Sequence, residues 1–296
     1  MIGSRLDSGL ALYSRAAQLS SARVIHEYST SFGMATRLMD RRLRPGIENI
    51  YGLVRIADEI VDGAAAEAGL RREAQRALLD ALEAETERTL QLGYSANLIV
   101  HSFAVTARAA GIGPELTRPF FASMRRDLDP AAFTNEQVRD YIYGSAEVIG
   151  LMCLKVFLSE GPDEADQRRR LEQGARRLGA AFQKINFLRD LRTDWIALHR
   201  NYFPDIDPAR LSEAQKQQLL ADIEADLEIA RTAIPYLPRS CRAAVAAAHG
   251  LFRELTARIR ATPASDLLSR RIRVPTLAKL RILLEAQLLG RAERRR

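Results

Sequence analysis

The sequence has few cysteines and few aromatic residues, and it lacks the patterns that are typical of β-sheets and of nucleotide-cofactor domains. Its 296 residues include two cysteines and one tryptophan, and aromatic residues account for only 6%. Cys153 and Cys241 lack the partner spacing of a zinc site or a disulfide framework. No run of alternating apolar and polar residues with hairpin turns occurs, and no G-x-G-x-x-G follows a strand pattern. These absences argue against a sheet protein and against a disulfide-rich secreted domain.

Long apolar runs and targeting signals are also missing. The opening residues 1–5 have no apolar core of a signal peptide. We find no apolar stretch that approaches the roughly 20 residues needed to span a bilayer. The sequence therefore predicts a cytoplasmic protein, with peripheral association at the inner face of the membrane as a further possibility.

Positive charge is in excess, since the sequence has 44 Lys and Arg residues and 37 Asp and Glu residues, which gives a net charge of +7. Neither an aromatic-interleaved RNA motif nor a DNA-binding pattern accompanies this charge. Many basic residues are scattered along helices, as in Arg168–Arg170. The excess is typical of a solvated surface, or of attraction to an anionic membrane or an anionic substrate. No nucleic-acid partner is expected.

Apolar residues recur every three to four positions in nearly every segment, which predicts an all-α protein. Capping boxes at Thr134–Gln137 and Ser212–Gln215 mark two helix starts. We predict one domain over residues 1–296, a helical bundle with a central cavity. The predicted helices cover approximately Leu10–Glu27, Leu43–Asp62, Glu67–Leu92, Ser95–Ala110, Glu115–Leu128, the stretch from the Thr134 capping box through Tyr141 to Leu158, Glu164–Asp194 and Ser212–Ile234. Another helix follows Pro238, and a last helix begins at Val274–Pro275.

One helical face carries an unusual set of oxygen-bearing side chains. Gln183, Asn186, Asp190 and Asp194 are spaced three, four and four residues apart, so they form one stripe on an α-helix. Carboxylates at this spacing repel each other unless a cation lies between them. Mg²⁺ prefers hard oxygen ligands and bridges carboxylates to phosphate oxygens. Mg²⁺ is therefore the natural candidate ligand of this stripe, although one acidic row by itself proves little.

A second acidic pair lies upstream, where Asp58 and Asp62 are four residues apart and Arg55 precedes them by one turn. Any single pair of this kind is usually a solvated helix face. Asp222 and Asp226 have the same spacing, and we interpret them as such a face. The neighbouring Arg, Asn and Gln residues distinguish the first two pairs.

At these residues the chain resembles bacterial members of the squalene/phytoene synthase family, which condense prenyl diphosphates head to head. The resemblance extends from about residue 29 to about residue 280. Beyond the two aspartate motifs it rests on short matching segments: Ser29–Phe32, Tyr51–Arg55, Tyr141–Gly144 with Gly150–Leu151, Asn201–Pro204, and Arg271–Val274 with Lys279.

The resemblance implies roles for individual residues. Catalysis would depend on Asp58, Asp62, Asp190 and Asp194. These four and Asn186 would bind Mg²⁺, with Mn²⁺ as an alternative, and NADPH is not expected unless the enzyme is of the squalene type. Arg189 could instead form a salt bridge behind the site, and Tyr141 could belong to the core. The implied substrate-binding residues are Ser29, Ser31, Arg55, Tyr141, Gln183, Asn186, Arg189 and Arg271.

The implied reaction joins two geranylgeranyl diphosphates through a cyclopropyl diphosphate to give phytoene. Squalene or dehydrosqualene synthesis from farnesyl diphosphate is the first alternative, and a non-catalytic scaffold of the same fold is the second. Peripheral contact with a membrane is expected for product release. Carbocation chemistry needs a dry wall, for which we nominate Phe32, Leu151, Phe182 and Phe187. Two positions depart from the family pattern: Phe252 replaces a common tyrosine, and Glu147 replaces a small residue.

Overall fold

Helices form nearly all of the regular structure in residues 8–129, 133–159 and 165–292, the ranges that the computed structural model describes. No strand occurs in these ranges, so the predicted all-α class is confirmed. The α-helices are α1 Gly9–Tyr28, α2 Thr30–Thr36, α3 Arg44–Asp62, α4 Ala64–Glu67, α5 Arg72–Leu92, α6 Leu98–Ala110, α7 Pro114–Asp127, α8 Asn135–Ile142, α9 Val148–Leu158, α10 Ala165–Arg189, α11 Glu213–Ala233, α12 Arg239–Ala261 and α13 Thr276–Ala292.

Local sequence signals set several of these helix ends. The side chain of Thr134 accepts a hydrogen bond from the backbone N–H of Gln137, and the Gln137 side chain accepts one from the Thr134 N–H. Ser212 and Gln215 form the same reciprocal pair at the start of α11. Gly93 ends α5 in the left-handed conformation that glycine adopts without steric cost. Both predicted capping boxes are therefore confirmed.

The helix that carries the second acidic motif is less regular than the sequence predicts. Instead of running unbroken to Asp194, α10 ends at Arg189, and a π-helical turn follows at Thr193–Ala197. The backbone N–H of Asp190 still donates to the Asn186 carbonyl at 2.8 Å, and that of Asp194 donates to the Asp190 carbonyl at 3.0 Å. The helical register across the motif survives, so these three residues share one face.

A π-helical turn at Tyr143–Glu147 joins α8 to α9 inside the bundle. The joined span Asn135–Leu158 has 24 residues and a mean hydropathy of 1.5 in its most apolar window. By length and composition alone it could cross a membrane, so the prediction that no stretch approaches this length is wrong. Because 56% of that window is buried inside the protein, the span has the environment of a core helix.

Two glycines allow this central span to lie directly against α10. A Cβ atom on Gly179 would lie 2.5 Å from the Ala146 carbonyl oxygen, and one on Gly150 would lie 2.4 Å from that of Ala175. Real Cβ atoms do not approach backbone oxygens this closely, so only glycine permits the packing. The contact fixes the position of α10, which carries Asn186 and leads directly into Asp190 and Asp194.

The apolar core consists of two main clusters. One gathers side chains of α3, α6, α7 and α9, including Leu53, Phe103 and Phe120. The other gathers α10, α11 and α12, including Ile185 and Leu220. Both acidic motifs therefore lie on helices that are anchored in the core.

Candidate active site

The first acidic motif lies on the last two turns of α3, and arginines hold both of its carboxylates. The Asp58 Oδ2 atom is 2.6 Å from Arg55 Nη1, and Arg55 also pairs with Glu59. Both oxygens of Asp62 accept hydrogen bonds from the Arg200 guanidinium, at 2.9 and 2.5 Å. Bidentate pairs of this kind are the stronger class of ion pair.

The second acidic motif has one paired and one unpaired carboxylate. Asp190 accepts a hydrogen bond from Arg189 Nη2 at 2.5 Å, and its Oδ1 is 2.7 Å from Arg271 Nε. Two of the three arginines nominated for substrate binding, Arg189 and Arg271, thus contact Asp190 directly. The Asp194 carboxylate, by contrast, forms no ion pair or hydrogen bond within the described ranges.

Arg200 connects the two motifs. Its backbone N–H donates to the Asp194 carbonyl at 2.8 Å, while its side chain binds Asp62 and the Asp127 carbonyl oxygen. The preceding His199 has a φ of 56°, and it is the one non-glycine residue with positive φ in the described ranges. Such backbone costs free energy and is common at functional sites. Here it turns the chain so that Arg200 points back toward α3.

A buried carboxyl group supports Arg200 from behind. Asp127 lies at the end of α7, and it accepts hydrogen bonds from the hydroxyls of Tyr141 at 2.9 Å and Tyr202 at 3.1 Å. Burial and the nearby charge of Asp62 raise the pKa of Asp127 to about 8. The Tyr141 hydroxyl, nominated for substrate binding, is therefore committed to Asp127 within the core in this structure.

The carboxylates of the two motifs, which Arg200 joins, influence one another's pKa values. Burial, together with the charges of Asp190 and Asp62, raises the pKa of Asp194 to about 7. Burial also raises the pKa of Asp58 to about 6, opposed by Arg55 and reinforced by Asp62. Carboxylates from α3 and from the end of α10 thus share one region of negative potential.

The donor set fits a hard divalent cation bound together with phosphate. The Asn186 Oδ1 atom is buried and has no hydrogen-bond partner, so it is an oxygen free to act as a ligand. No three His, Cys, Asp or Glu side chains in the described ranges are grouped closely enough to cage a metal by themselves. Mg²⁺ does not need such a cage, because it typically takes one or two carboxylates and completes its shell with water and substrate phosphates.

An aromatic wall lies beside the acidic residues. The Phe32 ring centroid is 5.2 Å from that of Phe182 and 6.1 Å from that of Phe252, and Phe182 and Phe252 are 4.6 Å apart. Tyr51 joins the group at 6.4 Å from Phe32. Phe187 does not belong to this wall, because it is buried in the core and stacked on Tyr202 at 4.1 Å.

The remaining nominated residues lie near α2, α3 and α10. The Ser29 Oγ atom caps α2 by accepting a hydrogen bond from the Phe32 N–H. The Arg55 guanidinium stacks over the Tyr28 ring at 4.3 Å. Gln183 is half-buried one turn before Asn186. The side chain of Ser31 lies outside the described part of the chain.

Two acidic residues outside the site have partners that the sequence did not reveal. Glu147 forms a salt bridge with Arg176 at 2.6 Å, which offsets the cost of its burial. The prediction that Asp222 and Asp226 form a solvated face is only half correct. Asp222 is 63% exposed, but the Asp226 side chain is 4% exposed and pairs with Lys184 and Arg177.

Sequence reasoning missed Arg200, Tyr202 and Asp127 as parts of the site. Arg200 and Tyr202 lie at or beside the Asn201–Pro204 segment that carried the family resemblance, so this segment held a usable signal. Asp127 follows two arginines at a helix end and has the pattern of an ordinary surface residue. Only the packing of α7 against α8 and the 200–203 segment reveals its role.

The chain is similar in sequence to curated phytoene synthases. The chain is 28% identical over 271 residues to a phytoene synthase of Mycobacterium tuberculosis, covering 85% of this chain and 84% of that protein. It is 28% identical over 258 residues to a 15-cis-phytoene synthase of Paracoccus sp., covering 82% of each.

Solved structures show the same fold at lower identity. A dehydrosqualene synthase in complex with a ligand superposes with a TM-score of 0.79 at 20% identity, covering 95% of this chain and 99% of that one. A squalene synthase of Alicyclobacillus acidocaldarius superposes with a TM-score of 0.70 at 20% identity, covering 84% and 95%. The squalene/phytoene synthase family model matches residues 25–278. The chain therefore belongs to the squalene/phytoene synthase family.

Proposed function

We propose that the protein is a phytoene synthase, a prenyltransferase that condenses two geranylgeranyl diphosphates head to head through a cyclopropyl diphosphate. Residues 1–296 form a single catalytic domain in this proposal. The observation that carries it is the opposition of two acidic motifs, joined through Arg200, beside an aromatic wall. The names of the curated relatives favour phytoene over squalene or dehydrosqualene.

The two acidic motifs and the neighbouring arginines serve different parts of the proposed chemistry. Asp58, Asp62, Asn186, Asp190 and Asp194 supply the oxygens for Mg²⁺, which when bound neutralises the charge that develops on the departing diphosphate. Arg55, Arg189 and Arg271 have guanidinium groups that suit phosphate oxygens once they exchange their present carboxylate partners.

The wall residues perform a different task. Phe32, Phe182 and Phe252 present apolar rings that exclude water from the reacting carbon atoms. Water would otherwise capture the allylic cation as an alcohol. Ser29 and Gln183 complete the polar edge of the proposed site, and the hydrocarbon product leaves toward a membrane.

Product analysis tests the proposal directly. Purified protein is incubated with Mg²⁺ and with C15 or C20 prenyl diphosphate, each with and without NADPH, and the hydrocarbon extract is analysed by mass spectrometry. We expect phytoene from the C20 substrate without NADPH, because no nicotinamide-binding pattern occurs in the sequence.

The alternatives give different products. A C30 hydrocarbon formed only with NADPH would identify a squalene synthase, and one formed without NADPH a dehydrosqualene synthase. A folded protein that binds no prenyl diphosphate in the presence of Mg²⁺ would instead indicate a non-catalytic scaffold.

A further inference from the structure

The last helix carries a row of leucines that no other part of the described chain covers. Leu277, Leu280, Leu284 and Leu288 fall within one narrow arc of α13, and their exposed fractions run from 45% to 81%. We call these four residues the leucine stripe. The opposite face of α13, which carries Leu283 and Ala286, packs on α2 and α12. Helix α13 therefore has two apolar faces. One packs inside the protein, and the other is exposed to solvent.

The charge of the chain is concentrated in the same segment. Residues 270–296 contain nine Lys and Arg and two Asp and Glu, a balance of +7 that equals the charge of the entire protein. Residues 1–269 contain 35 residues of each sign and are neutral overall. Beside the leucine stripe, Arg281 is 65% exposed, and Arg273 just before the helix is also exposed.

We infer that the leucine stripe and its basic flanks bind the surface of an anionic lipid bilayer. Helices that lie in a membrane interface combine an apolar face that enters the acyl boundary with Lys and Arg that contact anionic headgroups. Each basic residue near such a surface adds to the attraction. Neither feature alone would be decisive, but here the exposed leucines and the net charge occupy one segment.

A second copy of the chain fits this surface less well. In a two-fold dimer the same patch meets itself, so two segments of charge +7 would be brought together around the leucines. An anionic bilayer supplies the opposite charge instead. We therefore assign the surface to lipid.

The stripe also lies close to the proposed site. Lys279 Nζ donates to Thr30 Oγ1 at 3.2 Å, next to Ser29, and Arg271 of the same segment binds Asp190. A bilayer on this face would place the site beside the medium that dissolves prenyl chains. The relevance to substrate entry rests on the proposed function, whereas binding to lipid does not.

Vesicle sedimentation without substrate or Mg²⁺ tests the inference separately from catalysis. The full chain is mixed with vesicles of phosphatidylcholine alone or of phosphatidylcholine with phosphatidylglycerol. We expect binding that requires phosphatidylglycerol and weakens as salt is raised. Replacing Leu284 and Leu288 by Gln should lower the partition coefficient about tenfold or more, and replacing Arg273 and Arg281 by Gln should lower it on anionic vesicles.

A matched control is available on α1, where Leu12 and Leu19 are 61% and 65% exposed but lie outside the basic segment. Leu12→Gln with Leu19→Gln should leave the partition coefficient unchanged, and melting curves should show that all variants are folded. Equal loss for the α1 pair, or no binding of the wild type to anionic vesicles, would overturn the inference. A dimer in light scattering that the Leu284→Gln and Leu288→Gln pair dissociates, without vesicle binding, would assign the stripe to a second copy.

Discussion

At the residue scale, the acidic pairs allow a comparison within one chain. Asp190→Asn keeps the size of the side chain but removes a charge that Mg²⁺ binding would need. Turnover at saturating Mg²⁺ should fall about 10²-fold or more, which corresponds to roughly 3 kcal/mol of barrier. The fold should survive, because the change relieves repulsion with Asp194, and Arg271, which loses a full charge partner, is half-exposed to water.

Asp222→Asn is the matched control for that change. Asp222 is 63% exposed, and its partner Lys184 keeps Asp226 as a second counter-charge. Turnover should therefore stay within a factor of about two, with melting temperature measured on the same samples. If the two substitutions were equally damaging, the two-motif site would be wrong. Asp226 cannot serve as this control, because its buried charge is needed by Arg177 and Lys184.

Phe252 offers a test of the apolar wall. Its ring is half-buried and packs on Phe182 and Phe32. If the ring edge faces substrate, Phe252→Tyr should be tolerated, and one added hydrogen bond of about 0.5–1.5 kcal/mol should tighten substrate binding by about two- to tenfold. Steady-state kinetics and a melting curve check this. A lower melting temperature with unchanged kinetics would place the new hydroxyl in the core instead.

Asp127 predicts a pH dependence of stability. Its pKa is raised to about 8 in the folded protein from an ordinary value of 3.8, so the neutral acid stabilises the fold. That contribution is fully present below about pH 3.8 and is lost as the pH rises through about 8. Asp127→Asn cannot titrate, but its amide can still bond to Tyr141 and Tyr202.

The measurement for Asp127 is the free energy of unfolding of both proteins between pH 6 and pH 9. The free energy of unfolding of the wild type, relative to that of Asp127→Asn, should increase as the pH falls, by up to about 1.4 kcal/mol per pH unit. A difference that is independent of pH would show that Asp127 is ionised throughout, held by Arg200.

At the element scale, the contact between α10 and the π-helical turn leaves no room for a methyl group. Gly179→Ala would place a Cβ 2.5 Å from the Ala146 carbonyl oxygen, and backbone cannot yield as a flexible side chain can. We expect a loss of about 1–3 kcal/mol in the free energy of unfolding. To relieve the clash, α10 would have to move away from the π-helical turn. Turnover should also fall, because Gln183 and Asn186 lie further along α10 and would move with it.

Gly9→Ala is the control for helix propensity, since nothing lies within 4 Å of a Cβ at that position in α1. There alanine should be neutral or slightly stabilising. Urea unfolding curves of both variants distinguish a packing effect from a propensity effect. Equal stability of Gly179→Ala and wild type would contradict the close approach of the two backbones.

Sequence patterns predicted some features of the secondary-structure elements but not others. Periodicity and capping boxes predicted most helix ends within a few residues, including the start of α8 at Thr134. The bend at Asp190 and the π-helical turn at Thr193–Ala197 had no such signal, because no Gly or Pro interrupts that stretch. Long-range contacts accompany the irregularity, since Arg200 bridges Asp194 and Asp62 only if the chain turns there.

At the scale of the whole molecule, the fold was predictable because one period dominates the sequence and because short motifs match a known family. The nominated aspartates were also predictable, because i, i+4 spacing places them on one helical face without any tertiary information. The Asp127 network was not predictable, because it joins residues from α7, α8 and the segment after the second motif. Partners distant in sequence are also what made Asp226 buried rather than solvated.

Net charge is concentrated in residues 270–296, whereas residues 1–269 are neutral overall, so the segment that includes α13 is the positive side of an electric dipole. Near an anionic surface such a dipole experiences a torque, so the molecule is turned with α13 toward the lipid before any leucine touches it. The field that turns it extends only about one Debye length, roughly 10 Å at 0.1 M salt. Added salt should therefore slow association with anionic vesicles while the dissociation rate, set by the leucines, changes little.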